Sequence, residues 1–288
     1  MTAGWMVVAA ALFALMSVLV KHASATFSPA ELVFYRSAFG LVAIWIGIAV
    51  TRRRLLAPLL TPHLKAHVWR GLSGFVALVL FFFALSRLPL ATAVTLNYTA
   101  PLFLAALSAG WLRERHGRGV IGAVLLGFAG IVLLLRPQVS GQAWLPALAG
   151  LLSGLLAAVA YVHVKQLGRL GEPEWRVVFH FTLLSTVGGA MWMAIAGFHR
   201  PQPDDWASLA GIGVTATVAQ LALTRAYHRG RTLIVGALAY TTVGFSALYG
   251  VLLFDEQLPL LAWIGMATVA GAGVWAVRTS APVRSDSL

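Results

Sequence analysis

The chain has 288 residues, of which 59% are hydrophobic and only 10% are charged. Soluble domains carry about 25% charged residues, so this composition excludes an ordinary soluble protein and indicates a chain built for a lipid bilayer. The net charge of +12 excludes an acidic protein, and the absence of cysteine excludes disulfides and cysteine-containing metal sites. Because the basic residues fall between apolar runs, we expect no nucleic-acid partner.

Ten apolar segments follow one another along the chain, each near the roughly 20 residues that a helix needs to cross the hydrocarbon core. They lie at residues 4–22, 30–50, 68–86, 90–112, 119–136, 143–165, 175–197, 206–226, 233–254 and 260–278. These runs are apolar continuously, without the alternation typical of barrel strands. The sequence therefore predicts an all-α polytopic membrane protein with ten transmembrane helices and no extramembrane domain.

The first segment is expected to be a retained helix, because its first charge is Lys21, after the apolar run has ended, whereas a signal peptide begins with a basic region. Cytoplasmic loops are enriched in Lys and Arg. An orientation with both termini in the cytoplasm places 16 of the 21 Lys and Arg residues on that side, Arg70 among them. We therefore predict cytoplasmic N- and C-termini.

The two halves of the chain show weak internal sequence similarity. Pro29 opens the second segment and Pro173 the seventh, and each proline is followed seven residues later by a polar side chain, Arg36 or His180. Tyr98 precedes Glu114 by 16 residues, as Tyr240 precedes Glu256. Five helices per half require opposite topologies, so we predict a first repeat at 4–136, a second, inverted repeat at 143–278, and a cytoplasmic tail at 279–288, with a midplane site between the repeats.

These features resemble the drug/metabolite transporter superfamily of the EamA type. The first half carries the pattern in Ala91-Thr92-Ala93, Tyr98-Thr99-Ala100-Pro101-Leu102-Phe103, Leu112-Arg113-Glu114-Arg115 and Gly122; the second half keeps Tyr240, Leu253-Phe254-Asp255-Glu256 and Gly265, but has Val243 where the first half has Pro101. The resemblance implies a ten-helix carrier that moves metabolites, and it is nearest to bacterial inner-membrane amino-acid exporters.

All nine acidic residues lie in loops or at segment ends, so the sequence lacks the intramembrane carboxylate that a proton-coupled exporter of cationic drugs would use. Arg36, about two turns into the second segment, is costly in lipid and is shaped to hold a substrate carboxylate. Two alternatives stay open for Arg36, which are pairing with Glu31 and snorkelling outward. His180 either contacts substrate or is satisfied by a neighbouring carbonyl group.

Neutral polar and aromatic side chains are the other candidates for the binding site, since they can stack on apolar groups and orient polar ones. For each tyrosine, hydrogen bonding between helices is an equal alternative. The full set of candidate substrate-binding residues is Arg36, Phe82, Phe83, Asn97, Tyr98, Thr99, Tyr161, His163, His180, Gln220 and Tyr240.

The sequence has no nucleotide-binding G-x-x-x-x-G-K-[ST] loop, so transport is expected to run on gradients, with no cofactor and no metal. We predict a non-enzymatic secondary transporter in the bacterial inner membrane. It would export small zwitterionic metabolites, foremost amino acids with apolar or aromatic side chains, by alternating access and without ion coupling. The alternatives are a proton-coupled exporter of drugs or other organic metabolites, a channel, and a structural membrane protein. The oligomeric state, monomer included, stays open.

Overall fold

The computed structural model describes residues 2–52, 60–88, 90–135, 144–254 and 259–279. Within these residues every regular element is an α-helix, which confirms the predicted class. The helices are α1 (Thr2–Ala23), α2 (Pro29–Arg52), α3 (Leu64–Arg87), α4 (Leu90–Asn97), α5 (Ala100–Gly110), α6 (Arg118–Leu135), α7 (Trp144–Arg169), α8 (Glu174–Ala196), α9 (Asp205–Arg229), α10 (Thr232–Ala239), α11 (Thr241–Phe254) and α12 (Leu260–Arg278).

Membrane-crossing potential is clear for most of these helices. Eight described helical stretches are long and apolar enough to span a bilayer, and shorter apolar helices lie at Arg118–Leu133 and Trp263–Ala276. Each predicted apolar segment coincides with one helix or with two consecutive helices. The chain is therefore a multi-pass membrane protein, while the count of ten crossings stays a prediction. Asp255, Glu256 and the tail from residue 280 lie outside the described residues.

The fourth and ninth predicted segments are each interrupted, which sequence analysis did not anticipate. Between α4 and α5, the interruption has a clear cause, because Pro101 lies in the first turn of α5 and a proline ring clashes with the carbonyl group four residues earlier. Between α10 and α11 no proline is present, yet the chain turns at Tyr240. The Thr99 hydroxyl donates to Leu96 O at 2.6 Å and the Thr241 hydroxyl donates to Leu238 O at 2.7 Å.

The helices of the two halves interdigitate rather than forming separate bundles. Helix α1 packs on α9 and α3 packs on α7, while α2 packs on α8 and α6 packs on α12. Likewise α2 contacts α9 and α3 contacts α8, while α1 contacts α10 and α11 and α7 contacts α4 and α5. Exchanging the halves therefore maps these helix pairs onto one another.

Candidate functional site

A cavity lies between the two halves, at the level of the interruption between α4 and α5. Its volume is about 110 Å³. Helices α1, α2, α3, α7, α8 and α9 line it together with the α4–α5 turn. Its lining residues are Phe13, Met16, Ser17, Arg36, Arg70, Gly74, Ala77, Leu78, Phe81, Asn97, Tyr98, Ala157, Ala160, Tyr161, Phe181 and Gln220.

Two arginines give this cavity its charge. Arg36 of α2 is 4% exposed and Arg70 of α3 is 2% exposed. Their guanidinium carbons lie 5.6 and 4.3 Å from the centre of the Phe181 ring, which places a cation over an aromatic face. The two carbons are therefore at most 9.9 Å apart, and at an effective dielectric constant of 20 their repulsion is at least roughly 1.7 kcal/mol.

Neither arginine is neutralised by the described part of the protein. No ion pair joins Arg36 or Arg70 to a carboxylate among the described residues, and Arg36 Nε, Arg70 Nε and Arg70 Nη1 are buried without a hydrogen-bond partner. Gly74 provides room for Arg70, since a Cβ at that position would lie 2.2 Å from Arg70 Nη1. The alternative pairing of Arg36 with Glu31 is not formed, because Ser28 and His199 hold the Glu31 carboxylate.

Neutral polar groups complete the cavity. Asn97 ends α4, where its Nδ2 donates to Ser153 Oγ at 2.9 Å. Gln220 of α9 is 6% exposed and its Nε2 has no hydrogen-bond partner. Tyr161 of α7 stacks on Tyr227 with ring centres 4.8 Å apart. Of the predicted candidates, the structure thus brings together Arg36, Asn97, Tyr98, Tyr161 and Gln220.

The remaining candidates do not line this cavity. Phe82 packs in the apolar core and Thr99 hydrogen-bonds within its own turn. Phe83 lies against Arg87 near a second pocket. His163 packs edge-on against Trp111, and Tyr240 is fully buried at the α10–α11 turn.

His180 does not line the cavity and instead lies close to a backbone carbonyl group, as one of the two alternatives from the sequence predicted. Its Nδ1 lies 3.0 Å from Arg176 O, and its ring stacks on His67 with centres 4.2 Å apart. His67 Nε2 in turn lies 3.5 Å from Glu172 Oε2. The histidine therefore belongs to a polar cluster at the start of α8, which we call the α8 cluster: Thr61, His67, Glu172, Arg176 and His180.

The backbone hydrogen bonds at the C-terminal end of α7 place Glu172 in this cluster. At the end of α7 the Glu172 N–H donates to Leu167 O and the Gly171 N–H donates to Gly168 O. These are the two hydrogen bonds of a Schellman motif. Gly171 has the positive φ, 78°, that the motif requires. The Glu172 carboxylate accepts from the Thr61 hydroxyl and, at 2.9 Å, from Arg176 Nη1. Burial raises the pKa of Glu172, but these hydrogen bonds and the charge of Arg176 outweigh it, so the pKa lies below its ordinary value.

A corresponding carboxylate is buried at the start of α2. Ser28 and Glu31 form a capping box, in which the Ser28 N–H donates to Glu31 Oε2 at 2.7 Å and the Glu31 N–H donates to Ser28 Oγ at 3.4 Å. The Glu31 carboxylate also accepts from the His199 backbone N–H. We call Ser28, Glu31 and His199 the α2 cluster. Each cluster ties the start of one half's second helix to a loop or helix of the other half.

Arg70 and Phe181 are the two important site residues that sequence analysis did not identify. The sequence analysis counts Arg70 only among the basic residues of the cytoplasmic side, whereas the structure places it inside α3 and in the lining of the cavity. The sequence did contain a signal for Arg70. Arg70 lies within a predicted apolar segment, after Val68 and Trp69, and Arg36 likewise lies within a predicted apolar segment.

Comparison with known proteins establishes what kind of protein this architecture belongs to. The sequence profile described as "EamA-like transporter family" matches residues 1–136 and again residues 144–278. The chain belongs to the EamA-like transporter family. This EamA-like transporter is 32% identical over 281 residues to a pseudopaline exporter from Pseudomonas aeruginosa, covering 95% of this chain and 94% of that protein.

Other relatives of this EamA-like transporter carry different names. A riboflavin transporter from Rhizobium johnstonii is 27% identical over 276 residues, with 95% of this chain and 90% of that protein covered. A solved crystal structure superposes with a TM-score of 0.79 at 22% identity, covering 96% of this chain and 98% of the other, which shows a shared fold. The chain is thus a membrane transporter of this family, and its substrate is a separate question.

Proposed function

We propose that this EamA-like transporter is a secondary carrier that exports small carboxylate-bearing metabolites, with amino acids as the first class to test, by alternating access to the central cavity. The observation that carries the proposal is the pair of buried arginines, Arg36 and Arg70, which face a cavity lined by both halves. A guanidinium fork binds a carboxylate bidentately. The aromatic rings beside it can pack on the rest of the solute.

Two inverted five-helix repeats, 4–136 and 143–278, are part of this proposal. Three observations support a repeat: the family profile matches two stretches, the helix pairs exchange when the halves are swapped, and Thr99 and Thr241 make the same hydrogen bond at the two interruptions. Inverted repeats allow a carrier to rock one bundle against the other around a midplane site.

In the proposed orientation, both termini lie in the cytoplasm of a bacterial inner membrane. The distribution of Lys and Arg supports this orientation, and the relatives from Pseudomonas and Rhizobium are bacterial. The α8 cluster then faces the cytoplasm and the α2 cluster faces the opposite side. We propose that each cluster closes the cavity on its own side and opens in turn.

The energy source in this proposal is the gradient of the solute itself. The sequence contains no nucleotide-binding loop, and no carboxylate lines the cavity among the described residues. The pseudopaline exporter among the relatives supports the outward direction.

Reconstitution tests the proposal directly. Proteoliposomes that contain the whole chain are loaded with labelled leucine, phenylalanine or glutamate, and efflux is followed against unlabelled competitor. We expect saturable, competable efflux of at least one of these solutes, lowered by Asn97→Ala, with the surface variant Arg87→Gln as control. Two results would contradict the proposal: efflux of all three solutes no faster than from solute-loaded liposomes without protein, or single-channel currents instead of saturable flux.

Proton-coupled export of drugs or other organic metabolites is the second candidate. It is favoured by the stacked histidines His67 and His180 beside Glu172, since imidazole groups can take up and release a proton on the side of the α8 cluster. An imposed pH gradient distinguishes the two candidates. Efflux that accelerates several-fold with the gradient and loses this response in His67→Asn supports coupling, and efflux that is indifferent to the gradient supports the uncoupled carrier.

A further inference from the structure

The charge balance of the cavity restricts the solute more than carboxylate binding alone. The lining residues that the structure describes include two guanidinium groups and no acidic side chain. Of the nine acids in the sequence, the six that are described, Glu31, Glu114, Glu172, Glu174, Asp204 and Asp205, all lie in loops or in the first turns of helices. A zwitterion would bring its own ammonium group into this cavity, where no described carboxylate could pair with it.

The geometry fits two acidic groups on one small molecule. Arg36 and Arg70 approach the same Phe181 ring, and their guanidinium carbons are at most 9.9 Å apart. Two carboxylates joined by a short carbon chain can therefore contact one guanidinium each. A phosphate group carries two charges and several acceptor oxygens, so it can contact two guanidinium groups that lie close together.

The hydrogen-bonding groups of the cavity also call for an acceptor-rich solute. Arg36 Nε, Arg70 Nε, Arg70 Nη1 and Gln220 Nε2 are all donors, all buried and all without a partner. Buried donors are normally satisfied, and carboxylate or phosphate oxygens only accept. The lining also includes Phe13, Leu78 and Phe81, which offer an apolar surface for a carbon skeleton.

We infer that the central cavity binds small organic dianions, either dicarboxylates or phosphate monoesters, in preference to zwitterions without net charge. This inference rests on the proposed carrier function and names the charge class of its solute. Arg36 and Arg70 are the residues that set the preference for negative charge. Phe181 contributes an aromatic ring close to both guanidinium groups.

Equilibrium binding to the purified whole chain in detergent tests the inference. Titration calorimetry is carried out with succinate, glycerol 3-phosphate and leucine. We expect binding of succinate, glycerol 3-phosphate or both, at least tenfold tighter than binding of leucine. The two dianions show separately whether the site prefers paired carboxylates or one phosphate group.

Variants assign the binding to the arginines. Arg36→Gln and Arg70→Gln should each weaken dianion binding at least tenfold. Arg70→Lys should retain part of the affinity, because it keeps the charge but loses the fork. The matched control is Arg87→Gln. Arg87 also lies on α3 and over an aromatic ring, that of Phe83, but it is exposed and outside the cavity. The Arg87→Gln variant should bind dianions like the unaltered protein. Size-exclusion profiles verify that each variant is folded.

Three results would overturn the inference: leucine binding as tight as that of the dianions, unchanged dianion affinity in both Gln variants, or no heat from either dianion at millimolar concentration. Failure of the inference is distinguishable from failure of the carrier function. Proteoliposomes that release leucine saturably, from a protein that does not bind succinate or glycerol 3-phosphate, retain the carrier and reject the dianion site.

Discussion

Single residues carry the largest energetic penalties in this chain, and the two cavity arginines are the clearest case. An arginine at the centre of a membrane helix costs at least about 2.5 kcal/mol, and Arg36 and Arg70 are both buried without an ion-pair partner among the described residues. Groups that reduce stability and lie in a cavity are typical of binding sites. If the two arginines serve binding, as proposed, removing one of them should raise the stability of the protein without solute.

Replacing Arg70 by methionine should stabilise the empty protein while removing dianion binding. The reason is that Met fills similar volume without a buried charge, and substitutions of this kind can stabilise proteins by about 1–4 kcal/mol. Thermal unfolding in detergent without solute measures the effect, with Arg87→Met as the exposed control. A lower unfolding midpoint for Arg70→Met than for the unaltered protein would show that Arg70 is a structural residue instead.

Glu172 should make stability depend on pH in the acidic range. Its pKa is below the ordinary value of 4.5 in the folded protein, so its contribution is present above pH 4.5 and is lost as the pH falls through the folded pKa. Glu172→Gln should lower stability by about 1–2 kcal/mol at pH 7. The difference between the two proteins should shrink as the pH falls below 4.5. Unfolding midpoints measured at several pH values test this, and a difference that stays constant contradicts it.

Sequence analysis reached some of these residues and missed others for physical reasons. Arg36 and Asn97 were identified because a polar group within an apolar segment needs a partner or a cavity. Arg70 lies only two residues inside its predicted segment, so loop charge explained it equally well. His180 stacks on His67 from the start of α3, and sequence alone does not bring α3 and α8 together.

The helical elements show the same division between local and tertiary causes. Apolar length predicted where helices lie, but the fourth and ninth segments each contain an interruption. Pro101 explains the first from sequence alone. The second has no proline and depends on packing, since the Tyr240 ring fills the space beside Gly127, where a Cβ would lie 2.5 Å from Tyr240 Cδ2.

Close packing at the first interruption predicts a strong effect of one methyl group. Gly154 of α7 lies against the α4–α5 turn, and a Cβ there would lie 2.8 Å from Asn97 O and 2.6 Å from Thr99 Oγ1. Gly154→Ala should therefore destabilise the protein by about 1–3 kcal/mol and displace Asn97 from the cavity. Thermal unfolding and efflux measure both effects.

The control for this prediction is Gly244→Ala in α11. Nothing lies within 4 Å of a Cβ added at Gly244, so alanine should leave stability unchanged or raise it by roughly 0.5–1 kcal/mol. Equal effects of Gly154→Ala and Gly244→Ala would show that the α4–α5 turn has room to move. The assigned contact would then have no role in holding Asn97.

The whole molecule combines two interdigitated halves around one positively charged cavity. Composition and segment length predicted the helical class, and the quoted motifs carried the resemblance to the family that the sequence profile confirms. The sequence predicted Arg36 as a site residue but not its meeting with Arg70 and Phe181, which arises only where α2, α3 and α8 come together. The proposed closures, the α2 and α8 clusters, each join residues from different halves. In the proposed mechanism, the two clusters open in turn and expose the cavity to each side of the membrane.

Cysteine accessibility tests this central claim most directly, because the chain has no cysteine of its own. Ala77 lines the cavity and is 5% exposed, so Ala77→Cys provides a single reactive thiol. We predict that a membrane-impermeant maleimide modifies it both in right-side-out and in inside-out vesicles, and that succinate changes both rates. Modification from one side only, at a rate that succinate does not alter, would contradict an alternately accessible anion site.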